Sequence, residues 1–127
     1  MELKKLFSIV ILIITSMFLA ASAFSEDDAY KASALSWQKQ ANDTRATVVS
    51  VYEELTKIGD QGNADAKQLI EDAVNWLGEG DKDLKSGDEK LAEDKYDEAS
   101  YSYNMSWQYY VKAATAGLNA RRILTGQ

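Results

Sequence analysis

The sequence predicts an all-α fold, an up-down-up antiparallel three-helix bundle. Three observations carry this reading. No proline occurs in 127 residues, so the residue that breaks helices is missing. Three long runs place apolar residues at alternating spacings of four and three, the pattern of a helix packed along one seam. Short connections rich in glycine and polar residues separate the runs, as expected at helix ends. Each run is roughly 30 residues, about 45 Å at 1.5 Å per residue. Rods of matched length joined by short loops pack most simply by doubling back twice.

Residues 1–23 precede the bundle and read as a cleaved export signal. Lys4 and Lys5 form a basic start, Leu6 to Leu19 is an apolar run, and Ala21-Ser22-Ala23 supplies the small-x-small cleavage pattern. The apolar run is shorter than the ~20 residues needed to span a bilayer. The single domain is then 24–127, placed in the periplasm, an equivalent extracytoplasmic compartment, or outside the cell. Loss of Glu2, Lys4 and Lys5 leaves 12 basic and 19 acidic residues, a net charge of −7. Such a surface repels phosphate backbones, so nucleic acid is not an expected partner, and anionic membrane is disfavoured after signal cleavage. There is no cysteine, so the domain is held by packing without disulfides.

The first helix is expected over about 26–58. Positions 30, 34, 37, 41, 44, 48, 51, 55 and 58 hold Tyr, Ala, Trp, Ala, Thr, Val, Val, Leu and Ile. Ser25 is an N-cap before the acidic Glu26, Asp27 and Asp28, and Lys57 with Gly59 closes the other end. The second helix, about 64–92, follows the cap Asn63 with Ala66, Ile70, Ala73, Leu77, Gly80, Leu84, Gly87 and Leu91 on its seam. The third, about 95–125, carries Tyr96, Ala99, Tyr103, Ser106, Tyr110, Ala113, Gly117, Ala120 and Leu124, with Asp94 as the expected cap and Gly126 at its end.

The second helix contains one seven-residue phrase written twice, GDKDLKS then GDEKLAE, over 80–93. Three readings are open. A calcium loop needs glycine at its sixth position and glutamate at its twelfth, but counting from Asp81 gives Ser86 and Ala92. A helix break in 78–88 is credible, because Gly78, Gly80 and Gly87 each cost about 1 kcal/mol relative to alanine, and Ser86 with Glu89 forms a capping box. The favoured reading is steric: Gly80 and Gly87 are recesses for rings on neighbouring helices. Axial counting puts Gly80 near Trp37 and Trp107, and Gly87 near Tyr30 and Tyr96. Trp37, Trp76, Gly80, Gly87, Tyr103, Trp107 and Tyr110 make up the expected aromatic and glycine layer.

Chemistry is bounded by inventory. Without histidine or cysteine there is no Ser-His-Asp triad, thiol nucleophile, usual zinc site or covalently attached c-type haem. The nine carboxylates of 79–98 are interleaved with Lys82, Lys85, Lys90 and Lys95, the pattern of a solvated, ion-paired face. No enzyme, cofactor or resident metal is expected. A second set of residues on the third helix, Tyr101, Met105, Tyr109, Lys112, Ala116 and Ile123, lies away from its seam. Tyrosine and methionine are enriched in interface cores, and a helix apolar nearly all round is normally enclosed. This stripe is therefore the expected contact for a protein partner or a second copy.

Lys95-Tyr96-Asp97-Glu98-Ala99, after Gly87 and Ala92, resembles the helix-opening phrase of tetratricopeptide-type helical hairpins. The likeness covers about 30 residues and no 34-residue repeat follows, so it implies a helical hairpin and no concave peptide site. The overall profile is similar to small exported helical accessory and assembly proteins of multi-haem redox complexes. The resulting expectation is a non-enzymatic accessory, scaffold or assembly subunit acting through protein contacts. Two alternatives are a carrier of a small apolar ligand beside Trp37, Trp76 and Trp107, and a weak divalent-metal binder on 79–98.

Overall fold

The computed structural model describes residues 25–126, and the expected export signal lies outside them. Helix α1 spans Glu26–Ile58, α2 Ala64–Ala92 and α3 Tyr96–Thr125, with no strand among the described residues. The predicted caps act as such at the first two starts. Ser25 accepts from the Asp28 amide at 3.1 Å and Asn63 from the Ala66 amide at 2.9 Å. Gly59 at φ 72° ends α1, and the Asp60 carboxylate accepts from the Gly62 amide at 2.9 Å across the turn.

The start of α3 corrects one expectation. Lys95, with no side-chain cap bond, occupies the N-cap position, while Asp94 sits at φ 60° inside the turn. Only Glu93, Asp94 and Lys95 connect α2 to α3. The turn closes by a Lys95 amide to Lys90 carbonyl bond of 2.9 Å, which puts Asp94 in the left-handed conformation and removes it from the capping position. Its carboxylate instead accepts from the Tyr96 hydroxyl at 3.0 Å.

Helix α2 runs unbroken through 78–88, so the alternative of a break there is not realised. Paired contacts fix the directions of the helices. Gln38 with Asp88 and Arg45 with Asp81 run α1 against α2, while Lys90 with Glu98 and Trp76 with Tyr109 run α2 against α3. α3 packs closely along both other helices, whereas α1 and α2 approach one another much less. α3 is therefore the shared partner, which accounts for its apolar content on more than one side.

The heptad seams are the core. Ala34, Ala41, Val48, Val51 and Leu55 of α1, Ala66, Ala73, Gly80 and Gly87 of α2, and Ala99, Tyr103, Ser106, Tyr110, Ala113, Gly117 and Ala120 of α3 are buried. Large and small residues change places along the axis. Toward the α2–α3 turn, α3 supplies tyrosines against Ala34 and Ala41 of α1. Toward the α1–α2 turn, α1 supplies Val51 and Leu55 beside Gly117 and Ala120 of α3. Close packing requires such matching, since the space between three rods is nearly constant along their length.

Candidate functional site

The repeated phrase of α2 builds the same unit twice. A Cβ placed on Gly80 would lie 2.5 Å from Tyr110 Cε1, and one on Gly87 would lie 2.6 Å from Tyr103 Cδ1. Each tyrosine ring thus lies against bare α2 backbone, an approach that only glycine permits. The aspartate after each glycine accepts a hydrogen bond from the phenol: Tyr110 donates to Asp81 and Tyr103 to Asp88, both at 2.5 Å. α1 closes each unit. Arg45 forms a two-pronged bond to Asp81, from Nε at 2.8 Å and Nη2 at 3.3 Å, the geometry suited to guanidinium and carboxylate. Gln38 donates to Asp88 at 3.2 Å and to the Tyr103 hydroxyl at 3.0 Å. Between the units, Ser106 donates to the Gly80 carbonyl at 2.7 Å.

The rings in the glycine recesses are therefore Tyr110 and Tyr103, which corrects the expected neighbours. Trp37 and Trp107 pair with each other at 5.3 Å between centroids, and Tyr30 is exposed. Axial level alone pointed to these residues. The side actually turned to the α2 glycines is set by the angular position of Tyr103 and Tyr110, both on the α3 seam. The two rings occupy the recesses left by Gly80 and Gly87.

Electrostatics follow the geometry. Burial, with help from the accepting carboxylates, pushes both tyrosine hydroxyls far above their usual range. Burial would raise the Asp81 carboxyl, but the hydrogen bonds from Arg45 and Tyr110 outweigh it and hold the group below its usual value. Every buried side-chain polar atom among the described residues has a hydrogen-bond partner, as a structural seam requires. No group of three or more carboxylates able to hold a metal ion occurs among the described residues. No helix among them is long and apolar enough to cross a membrane.

A second feature runs along the outer α2–α3 seam, and here the stripe expected from the sequence is rearranged. Tyr109 stacks on Trp76 at 5.7 Å between centroids and 15° between planes. The Lys112 ammonium lies over both rings, 4.6 Å from Trp76 and 5.4 Å from Tyr109, in cation–π range. Ala116 is buried. Tyr109 and Lys112 thus contact Trp76 of α2, Tyr109 half-buried and Lys112 still exposed, and only Ala116 of the three is enclosed. Tyr101 is 69% exposed and Ile123 41%, while Met105 is half-buried. Asp72, Trp76, Glu79 and Asp83 follow one another at helical spacing on α2. Two shallow hollows open on this side, one lined by Asp72, Asn75, Trp76 and Glu79, the other by Lys90, Asp97, Glu98, Tyr101 and Ser102.

The polar partners Asp81, Asp88, Arg45 and Gln38 escape a reading based on apolar periodicity. Their signal is nonetheless present, since all four share the seven-residue spacing of Gly80 with Gly87 and Tyr103 with Tyr110. Comparison with protein-family models, curated proteins and solved structures finds no match.

Proposed function

We propose that this chain is a non-enzymatic, exported protein-binding bundle, an accessory or scaffold subunit whose contact surface is the outer α2–α3 seam. The observation that carries the reading is the aromatic surface left there: Tyr101, 69% exposed, is the most exposed large hydrophobic among the described residues, and it shares a helical stripe of α3 with the half-buried Met105 and with Tyr109, which stacks on Trp76. An exposed aromatic side chain with a partly exposed thioether beside it, rimmed by polar residues, is the composition of protein contact surfaces. The Tyr–Gly–Asp seams support the same reading from the other side. Their polar groups are satisfied by one another, so they hold the helices in register and leave the seam a rigid platform. The signal pattern of residues 1–23 supports an extracytoplasmic location.

The test is a Tyr101→Glu, Met105→Lys double variant, which leaves the Trp76–Tyr109 stack and the buried seams untouched. Far-UV circular dichroism should be unchanged, while association with the native partner, or with a second copy, is lost. A wild-type chain that sediments as a monomer and brings no partner from its native compartment refutes this function.

A further inference from the structure

Resting on that reading, we propose that the outer α2–α3 seam accepts a cationic partner, a Lys- or Arg-bearing amphipathic helix of another protein. The rings show what they accept, because the Lys112 ammonium already lies on both Trp76 and Tyr109. An incoming ammonium or guanidinium of the same chemistry would take this place, with Lys112 swinging into water. The lining has the complementary charge. Asp72, Glu79 and Asp83 share a stripe with Trp76 at four- and three-residue spacing, the repeat a docked helix would present in return. Glu79 pairs with Lys82 and Asp72 accepts from Gln68. Asp83, which is half-buried, has no salt bridge among the described residues. Burial, and then repulsion from Glu79, raise its carboxyl above the usual value, only partly offset by the charge of Lys82, a local cost that a further opposite charge would relieve. The net charge of −7 expected for the chain without its signal disfavours a second copy and favours a basic partner.

The test uses two synthetic amphipathic peptides of about 18 residues, roughly 27 Å as a helix, one of leucine and lysine and the other of leucine and glutamate. Binding to the intact signal-free protein is read by calorimetry at two salt concentrations. The lysine peptide should bind, weaken with salt, and outbind the glutamate peptide. Lys112→Ala removes the competing cation and should tighten the lysine peptide about two- to fivefold. Asp83→Lys should weaken it by on the order of fivefold, while Asp43→Lys, the same charge change on the outer face of α1, should have little effect. The inference is overturned if Lys112→Ala weakens the lysine peptide, if Asp43→Lys acts as strongly as Asp83→Lys, or if neither peptide binds. Equal binding of both peptides, lost together in the Tyr101→Glu, Met105→Lys variant, overturns the charge preference and leaves the protein-binding reading standing.

Discussion

Replacing Gly80 by alanine separates the steric account of the repeat from every account based on helix propensity. On propensity alone, Gly→Ala inside a helix stabilises by about 1 kcal/mol. At Gly80 the new methyl group would lie 2.5 Å from Tyr110 Cε1 and 2.6 Å from Cδ1, against about 3.5–4.0 Å for relaxed carbon contacts. The ring must move by about 1 Å, yet it is fully buried and its hydroxyl is held by Asp81. Overpacking of this kind costs about 1–3 kcal/mol, so Gly80→Ala should be destabilising by up to about 2 kcal/mol. Gly78 is the control, since it is on the same helix, exposed, and has no atom within 4 Å of an added Cβ. Gly78→Ala should therefore stabilise by about 1 kcal/mol. Urea unfolding followed by circular dichroism should move the two midpoints in opposite directions. Adding Tyr110→Leu to Gly80→Ala should recover part of the loss through a coupling of about 0.5–3 kcal/mol. If Gly80→Ala raises the midpoint as Gly78→Ala does, the ring-in-recess argument is wrong.

Other perturbations probe the polar half of the same units. Tyr110→Phe keeps the ring and deletes its bond to Asp81, and should cost about 1–2 kcal/mol in chemical denaturation while Gly80→Ala remains harmful in its background. Ser106→Ala removes the buried donor to the Gly80 carbonyl and should cost about 1 kcal/mol by the same measurement. Asp81 and Asp83 should respond to pH with opposite signs. The Asp81 carboxyl is depressed below 3.8, so it stabilises the fold above that value and loses the contribution as pH falls through its folded pKa. Asp81→Asn should accordingly lower the melting temperature at neutral pH, with the deficit shrinking in acid. The Asp83 carboxyl is raised above 3.8, so its ionisation penalises the fold above the folded pKa. Asp83→Asn should raise the melting temperature at neutral pH and leave it unchanged in strong acid.

Three rods, the caps that open the first two and their buried seams are legible in the sequence because each depends on local rules: helical periodicity, capping geometry and the absence of proline. Ser25 and Asn63 act where they stand in the sequence, and every buried residue of α3 except Ala116 falls on its predicted register. Asp94 was misread because the decision lay with the turn, where a three-residue connection forces one residue to positive φ. The chain also carried the repeat of Gly80-Asp81 and Gly87-Asp88, but not what the repeat faces. Periodicity places a residue on a side of its own helix, whereas the opposing ring depends on how two helices are rotated about their axes, a property of neither sequence segment alone. For that reason only the tertiary structure set Tyr103 and Tyr110 into the glycine recesses and brought Arg45 and Gln38 to the aspartates. It also set Tyr109 and Lys112 against Trp76 and buried Ala116, leaving Tyr101 at the surface.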